Sequence, residues 1–541
     1  MPRSLPSLVL GLSSLVLCLL PSSCAQRETA VAAGIRDKVL HLSNGAEPQT
    51  LDPQLVDAAT DQIISAALFE GLCAIDERTS QAVPAVAERW EVSPDGLTWT
   101  FHLRAGLKWS NGDPLTAGDF VQSWRRMLLP SFAASSAYYL FPLKNAEAIS
   151  RGDLKDPAAL GAVAPDPLTL QLSLEHPAPY LPGLAAQTSW YPVNIGALKK
   201  FGAIDRRDSP WTSPANFVGN GPFVLETWSP NSRLTVRKNP LYRDAARVRL
   251  NRIVFYPTEN PGVEERDFRA GQLHLTYELP LVKVARYRQS EPAALRVEPS
   301  LETFFLRFNV TRPPLDHPKV RAALARAIDR TGITHSVLED TRRPAHFFTP
   351  PDCAGYTSRT VIPTDFAAAR QLLAEAGYPG GRGFPVLEVQ ARNDEIHTKV
   401  MEVIQAMWLR ELGIRITLAP MEQKIWLQNQ RTLNYAISTA RWVGDFIDPV
   451  NYLEIMTGDG AYNWTGWRNP RYDELVRQAA LTADAARRYE AFQQAEAILL
   501  HETPVAPVFF GARTYLASPA VKHWEPALLG IHRFQFVDLE N

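Results

Sequence analysis

The feature that most constrains the fold of this 541-residue chain is an alternation of helix and strand patterns in its second half. Asp316, His317 and Pro318 predict a helix start, because a capping residue is followed by an early proline. The patterns that follow predict a helix over 365–376, a strand over 386–391, a helix over 397–412 and a strand over 414–418. Such alternation is typical of α/β domains, so we expect a mostly parallel sheet.

Length and composition describe a large globular protein without a strong charge bias. At 541 residues the chain exceeds what one hydrophobic core usually supports, so we expect two or three domains. Its 45% hydrophobic and 10% aromatic content is typical of globular proteins. The formal net charge is −1 and no basic stripe is present, so neither nucleic acid nor an anionic membrane surface is expected as a partner.

The N-terminus has the pattern of an export signal. Arg3 precedes an apolar run over 8–20 that is too short to span a bilayer permanently. Residues 20–24 resemble a bacterial lipobox with Cys24 as the lipidated residue, although its proline is unusual, and residues 23–25 also fit ordinary signal cleavage. We prefer lipidation, which would tether the protein without crossing the membrane. Residues 1–24 are therefore predicted to be a signal peptide, and 25–38 a flexible leader.

Two cysteines, Cys73 and Cys353, remain beyond that segment. In an exported protein they could form a disulfide, or both could be free and buried, and their sequence separation does not decide between these alternatives. With no further cysteines and no His-x-x-x-His spacing, a structural zinc site is not indicated.

A candidate ligand site follows a strand predicted over 435–440. This strand runs into residues 441–449, RWVGDFIDP. A carboxylate beside Trp442 just past a strand end is where an α/β protein places a ligand group, and its charge favours a cation such as an α-amino group. The alternative is a solvated turn in which Asp445 or Asp448 caps the next helix.

No catalytic motif accompanies this segment. The chain has no glycine-rich phosphate loop, no Gly-x-Ser-x-Gly elbow and no His-Glu-x-x-His helix. Carboxylates are paired at 264–265 and at Asp445 with Asp448, but such pairs are common. Aromatic residues in predicted loops, including Trp442, can line a pocket. We therefore interpret the protein as a receptor, with a secreted hydrolase as the alternative.

Several segments match, in order, those of one family. They are SNGAEPQTLDP (43–53), LFEGL (68–72), WTFHLR (99–104), KWSNGDP (108–114), NGPF (220–223), FN (308–309), VRAAL (320–324) and LLAEAGY (372–378). From Val39 to the C-terminus, the chain resembles the periplasmic oligopeptide-binding receptors of ABC importers. These receptors are the peptide and nickel class, family 5, of extracellular solute-binding proteins.

The resemblance implies an α/β fold, a two-lobed periplasmic-binding-protein clamp (type II, cluster C) with an extra third domain. The implied boundaries are 39–69, 193–301 and 512–541 for lobe I, 70–192 for the extra domain and 302–511 for lobe II, with hinges at 304–308 and near Phe510. Such receptors enclose an extended oligopeptide as an added strand and deliver it to an inner-membrane ABC permease.

The resemblance further implies no cofactor, a monomer, and a location in the periplasm or cell envelope. If Cys24 is lipidated, the protein would be anchored there. Other ligands stay open within the family, namely a dipeptide, a murein peptide, a nickel chelate, haem or a sugar. A non-transport scaffold or sensor built on the same clamp is also open.

Individual site residues are implied by the resemblance as well. Asp445 matches the carboxylate that binds the peptide α-ammonium. The other implied peptide contacts are the backbone of Arg441 and Val443, Trp442 between them, Ala59 on the opposite lobe, His397 with Arg392 and Arg431 for the C-terminal carboxylate, and Tyr139. The chain departs from the family at Thr439 (arginine in the receptors), Ser136 (tyrosine), Gln423 (tryptophan), and Glu302 and Val443 (the disulfide cysteines).

Overall fold

The computed structural model describes residues 28–541, so the predicted signal segment and Cys24 lie outside the described part. The described residues form sixteen α-helices and eighteen β-strands, besides short 3₁₀ helices. The helices are α1 Ala30–Asp37, α2 Ala59–Leu68, α3 Ala117–Met127, α4 Ala146–Arg151, α5 Leu181–Leu184, α6 Ile195–Lys199, α7 Pro261–Arg269, α8 Leu281–Ser290, α9 Pro318–Arg326, α10 Arg330–Ser336, α11 Phe366–Glu375, α12 Glu395–Leu412, α13 Gln423–Arg431, α14 Val450–Leu453, α15 Pro470–Ala480 and α16 Ala485–Glu502.

The strands are β1 Val39–Ser43, β2 Cys73–Ile75, β3 Ala82–Pro84, β4 Ala87–Val92, β5 Thr98–Leu103, β6 Ala162–Asp166, β7 Thr169–Ser173, β8 Phe223–Ser229, β9 Arg233–Lys238, β10 Arg252–Tyr256, β11 Leu295–Phe308, β12 Arg343–Pro344, β13 Leu387–Arg392, β14 Ile416–Met421, β15 Ile437–Val443, β16 Val505–Leu516, β17 Val521–Lys522 and β18 Asp538–Leu539. They form three larger sheets and two short hairpin-like pairs.

The first two sheets have four strands each. One has the order β1-β10-β9-β8, and its core combines residues from distant parts of the chain, such as Leu40, Phe255 and Phe534. The other is fully antiparallel, with the order β4-β5-β7-β6. The helix α3 begins beside this second sheet, where the N–H of Ala117 donates to the carbonyl of Pro167, between β6 and β7, at 2.8 Å.

The six-stranded sheet has the order β12-β16-β11-β15-β13-β14 and carries the candidate site. Strand β13 is parallel to β14 and β15, as the helix–strand alternation predicts. The pairs β11–β15, β11–β16 and β12–β16 are antiparallel, so the prediction of a mostly parallel sheet is wrong. The reason is that β11 and β16 are not part of β-α-β units. They are two long strands that pair with each other, and their register shifts between Pro299 and Thr303.

The residues just before β1 form a helix, which corrects the prediction of a flexible leader for the described residues 28–38, whereas residues 25–27 lie outside the described part. Residues 30–37 form α1, which begins after Thr29, whose side chain accepts the N–H of Ala32 at 3.2 Å. The N–H of Val31 donates to the carbonyl of Gly271 at 2.9 Å. The sequence AVAA supplies the apolar contacts and helix propensity that a flexible segment lacks.

Cys73 and Cys353 are both buried and free, so the unpaired alternative is correct. In the described part of the chain, no group of three or more His, Cys, Asp or Glu side chains could hold a metal ion. Within residues 28–541, no helix is long and apolar enough to cross a membrane.

Candidate ligand-binding site

The candidate site is built around an open backbone edge on β15. One side of β15 pairs with β11 over its whole length, from Ile437 to Val443. On the other side, β13 pairs only with the first two residues. The side chain of Gln430 then donates to the carbonyl of Thr439 at 3.3 Å. Among the described residues, no strand pairs with this edge from Arg441 onwards.

Strand geometry directs the free groups of this edge outward. The N–H of Gly444 donates to the carbonyl of Leu301 at 2.7 Å, so the backbone of Gly444 faces β11. Because successive residues of an antiparallel strand alternate in this respect, the N–H and C=O groups of Arg441 and Val443 face away from β11. Unpaired groups of this kind are a template for an added strand.

The carboxylate of Asp445 lies just beyond this edge. The hydroxyl of Tyr138 donates to its Oδ2 at 3.5 Å, and the Tyr138 ring lies 4.2 Å from that of Tyr139 in the 3₁₀ helix Ser135–Leu140. Burial raises the pKa of Asp445 above its usual range, while hydrogen bonds from Tyr139 and Tyr138 act in the opposite direction. A positively charged ligand group would stabilise the ionised form of this partly desolvated carboxylate.

The predicted contact residue Ala59 begins α2, and the segment just before this helix contacts the short helix that carries the tyrosine pair. Ala59 is the exposed first residue of α2. Two positions before it, the carboxylate of Asp57 accepts the hydroxyl of Ser135 at 2.6 Å, and Ser135 begins the 3₁₀ helix that carries Tyr138. The start of α2 and the Asp445 loop are therefore linked through this one short helix.

Asp448 has a structural role in the same loop. It is buried and forms two hydrogen bonds with Arg488, at 2.7 and 2.8 Å. Its Oδ1 also accepts the N–H of Val450 at the start of α14. Next to it, Phe446 stacks on Tyr180 with 4.9 Å between ring centroids. Asp448 thus accepts a backbone N–H at the start of α14, as the capping alternative predicts, but it is buried and does not lie in a solvated turn. These contacts fix the loop that carries the other aspartate.

Trp442 begins a row of aromatic side chains on one face of β15. Its indole N–H donates to Oδ1 of Asn451 at 3.0 Å. The ring of Tyr462 lies 4.9 Å from Trp442 and 5.6 Å from Trp464. We call Trp442, Tyr462 and Trp464 the aromatic row. These rings offer an apolar, partly exposed surface next to the open edge.

His397 lies toward the opposite face of β15, and Arg392 ends the neighbouring strand β13. The Nδ1 atom of His397 is 2.8 Å from the hydroxyl oxygen of Thr439, and its ring packs against Phe304 at 4.8 Å. Burial lowers the pKa of His397 to about 4, so the imidazole is neutral at pH 7. The Nε atom of Arg392 is 3.4 Å from a carboxylate oxygen of Asp394. A neutral histidine and an arginine that already has an acidic partner are weak counter-charges for a ligand carboxylate.

Two other arginines approach the aromatic row. Arg431 ends α13, with its guanidinium 5.5 Å from the Trp464 ring. Arg307 of β11 lies 4.9 Å from the same ring. Sequence reasoning missed both Arg307 and the hydroxyl contact of Tyr138 with Asp445. The available signal for Arg307 was a single charged residue within the apolar strand sequence FFLRF, 304–308.

The predicted site residues thus fall into separate groups. Around the open edge lie Asp445, Val443, Arg441, Trp442 and Tyr139; toward the other face lies His397; Arg392 ends β13 beside Asp394; Arg431 lies at the far end of the aromatic row; and Ala59 begins α2.

Comparison with known proteins identifies the family. Residues 81–464 match the profile of the bacterial extracellular solute-binding proteins, family 5 (middle region). The chain belongs to this family. This family 5 protein is therefore a solute-binding component of an ABC importer, and its relatives are not enzymes.

Three similar proteins illustrate the range of relatives. The probable deoxycholate-binding periplasmic protein YgiS of Escherichia coli (strain K12) is 35% identical over 492 residues, 90% of each chain. The periplasmic oligopeptide-binding protein OppA of Salmonella typhimurium is 32% identical, over 94% of this chain and 93% of that one. The murein tripeptide-binding protein MppA of E. coli, in its unliganded open form, is 30% identical and superposes with a TM-score of 0.81 over 93% of this chain and 97% of that one.

The structural likeness confirms the predicted fold class, a mixed α/β periplasmic-binding-protein fold of cluster C. The domain boundaries and the roles of individual site residues stay predictions.

Proposed function

We propose that this family 5 protein captures extended oligopeptides between its two lobes in the periplasm or cell envelope and delivers them to an inner-membrane ABC permease. The observation that carries the proposal is the open edge of β15 at Arg441 and Val443, which ends two residues before the carboxylate of Asp445. A peptide added to this edge would form main-chain hydrogen bonds that do not depend on its sequence, and its α-ammonium would lie near Asp445.

The surroundings of Asp445 favour an ammonium group. Its carboxylate has lost water through burial, and the hydroxyl of Tyr138 is a neutral partner at 3.5 Å. In the described part of the chain, no lysine, arginine or histidine forms an ion pair with Asp445. An incoming cation would supply the missing charge, and the rings of Trp442 and Tyr139 would cover it.

Ligand capture would close the cleft. The protein resembles the unliganded open form of MppA with a TM-score of 0.81, which supports an open starting state. The start of α2 with Ala59, and the edge of β15 with Arg441, would contact opposite sides of one peptide. Contacts made from both sides at once favour the closed state and shift the population toward it.

The test is isothermal titration with matched pairs of tri- to pentapeptides, with free and acetylated N-termini. We expect acetylation and Asp445→Asn each to weaken binding by roughly a hundredfold or more, since each leaves one buried charge without a partner. Asp459→Asn removes an almost fully exposed carboxylate from the same lobe and is the matched control, expected to bind as the wild type does. Equal affinity for free and acetylated peptides would remove Asp445 from the proposed role.

An amphipathic carboxylic acid is a second candidate ligand. It is favoured by the aromatic row, which would cover an apolar skeleton, and by the 35% identity to a probable deoxycholate-binding protein. Native mass spectrometry of the protein purified without added ligand distinguishes the two candidates. A co-purified peptide supports the first proposal, and a co-purified steroid or fatty acid supports the second.

The proposed location depends on the N-terminus. The lipobox-like stretch supports an anchor at Cys24, and the mass of the N-terminal peptide of the mature protein tests it. A lipid-modified cysteine as first residue is expected. An unmodified N-terminus after residue 25 would support ordinary cleavage instead.

A further inference from the structure

Aromatic side chains from two distant parts of the chain lie near the carboxylate of Asp445. Tyr138 and Tyr139 come from one short 3₁₀ helix, with 4.2 Å between their ring centroids, and the Tyr138 hydroxyl donates to Oδ2 of Asp445 at 3.5 Å. Trp442 precedes Asp445 by three positions, and the ring of Tyr462 lies 4.9 Å from that of Trp442. We call Tyr138, Tyr139, Trp442 and Tyr462 the aromatic cage.

The two halves of the aromatic cage face one space. Tyr138 is 44% exposed and Tyr462 is 38% exposed, so both rings are open to a ligand. Partial desolvation raises the pKa of Tyr138, and the charges of Asp445 and then of Tyr462 raise it further. Because such electrostatic effects weaken with distance, the phenol of Tyr462 lies close to that of Tyr138. The space therefore combines accessible rings with one negative charge.

This space offers more ring surface than hydrogen-bond acceptors. A primary ammonium has three N–H donors, and each donor that is buried without an acceptor costs free energy. In the proposed peptide complex, the carbonyls of Arg441 and Val443 pair with the main chain of the ligand. The indole N–H of Trp442 is a donor and is already bonded to Asn451. A nitrogen that carries methyl groups in place of N–H donors would leave fewer donors without partners.

A methylated ammonium matches the chemistry of the aromatic cage. A cation within about 6 Å of an aromatic ring centroid, over the ring face, is attracted by the ring quadrupole, and methyl groups add apolar contact with the ring. The carboxylate of Asp445 attracts the charge without needing a hydrogen bond. The receptors that the chain resembles have a tyrosine at the position of Ser136, which is buried here. The neighbouring tyrosines at 138 and 139 are therefore a departure from that pattern.

We propose that the aromatic cage and Asp445 bind an N-methylated ammonium group, so that the protein accepts peptides whose terminal nitrogen carries methyl groups. This inference rests on the proposed function, because it takes Asp445 as the anchor of the ligand cation. It goes further by naming the substitution of the nitrogen. A site that recognised the ammonium through hydrogen bonds alone would reject a quaternary nitrogen, which has no N–H donor.

The test is calorimetric titration of the wild type with four forms of tetra-alanine. The N-terminus is free, trimethylated, acetylated, or replaced by a neutral tert-butyl group of the same shape as trimethylammonium. We expect the trimethylated peptide to bind as tightly as the free peptide, within about threefold, or more tightly. The acetylated and tert-butyl peptides should bind roughly a hundredfold more weakly, because they leave the carboxylate without a counter-charge.

Two outcomes with the wild type would overturn the inference. One is binding of the trimethylated peptide that is weaker than that of the free peptide by more than about threefold. The other is equal affinity for the trimethylated and tert-butyl peptides, which would show that the rings make apolar contacts without recognising the cation.

Variants of the cage test whether its rings carry the effect. Tyr138→Leu and Tyr462→Leu should each weaken binding of the trimethylated peptide roughly three- to thirtyfold, the usual size of one cation–π contact, and affect the free peptide less. Tyr138→Phe keeps the ring without the hydroxyl and should retain trimethylated binding. Tyr378→Leu, at a tyrosine that packs on Phe384 with 5.1 Å between ring centroids, is the matched control.

An unchanged ratio of the two affinities in both leucine variants would also contradict the proposed cage. Both positions are partly exposed, so the variants should fold, and thermal unfolding checks this. If one leucine variant does not fold, the other and Tyr138→Phe decide the result.

The same titrations separate this inference from the proposed function. If acetylation and trimethylation both weaken binding, Asp445 keeps its proposed role with a primary ammonium and the methylated ligand is excluded. If all four peptides bind equally, the anchor role of Asp445 fails and the cage fails with it.

Discussion

Glu302 and Val443 are direct cross-strand partners on β11 and β15. Since the backbone of Gly444 faces β11, Val443 is in a pair without direct hydrogen bonds between its two members, the type with the shorter Cα separation of about 4.5 Å. The family resemblance places its disulfide at these two positions. The protein has instead a carboxylate whose Oε2 lies 3.9 Å from the guanidinium of Arg441. The two positions therefore lie at a separation that a disulfide can span, although neither residue is a cysteine.

Introducing the cross-link should therefore succeed without moving the backbone. The double variant Glu302→Cys/Val443→Cys is expected to oxidise spontaneously, because disulfides accept Cα separations of about 4.4–6.8 Å. It should raise the free energy of unfolding by about 2–4 kcal/mol. Thiol titration and thermal unfolding with and without reductant measure this. Glu302→Cys alone is the control, and a double variant that keeps both thiols free in air would contradict the register.

The buried pair of Asp448 and Arg488 gives a prediction about the loop that carries Asp445. Arg488→Met should lower the free energy of unfolding by about 3–5 kcal/mol, because it leaves Asp448 charged and buried. Adding Asp448→Asn should restore part of that loss, since the uncompensated charge is removed. Denaturant unfolding of the two single variants and the double variant measures the coupling. Strictly additive losses would show that the pair contributes no interaction of its own.

Local patterns in the sequence predicted much of the fold. Thr116 and Asp119 have the spacing of a capping box, and the structure forms it at the start of α3. The helix α16 likewise begins after Asp484, whose side chain accepts the N–H of Arg487, three residues along the chain. These features depend on contacts within a few residues, which the sequence displays directly.

Features set by distant parts of the chain could not be predicted in this way. The antiparallel direction of β11 beside β15 depends on how the chain returns to the sheet, and strand patterns carry no information about direction. The tyrosine facing Asp445 is 307 positions away from it in the sequence. The position of Arg307 beside Trp464 likewise requires the loop after α14 to fold back on the sheet. For the contact between Tyr138 and Asp445, the family resemblance named only the neighbouring residue, Tyr139.

The buried carboxylate of Glu264 makes a prediction about pH. It is 1% exposed and accepts the hydroxyl of Ser43 at 2.9 Å and the N–H of Tyr277 at 2.6 Å. Burial raises its pKa to about 7, above the usual 4.5. Between these values the folded state holds a proton that the unfolded state has lost, so the free energy of unfolding falls as pH rises through this window.

Glu264→Gln should remove this dependence, because glutamine keeps similar hydrogen bonds and does not titrate. Denaturant unfolding at several values from pH 4.5 to 7.5 should show a decline that is smaller in the variant, by up to about 3 kcal/mol across the window. Burial also raises the pKa of Glu77 to about 7, so part of the slope should remain. Parallel profiles for wild type and variant would show that Glu264 is ionised in the folded state.

The protonation state of His397 tests whether this side chain carries a positive charge in the cleft. Because burial lowers its pKa to about 4, its NMR signals should stay those of a neutral imidazole from pH 8 down to about pH 5, with His397→Asn used for assignment. The unfolded state takes up this proton first, so His397 should lower the free energy of unfolding as pH falls below about 6.5. Affinity for a peptide carboxylate should then be insensitive to His397 between pH 6 and 8. A titration midpoint near 6.5, with affinity for the carboxylate that falls as pH rises through the same range and becomes independent of pH in His397→Asn, would assign the counter-charge to this histidine.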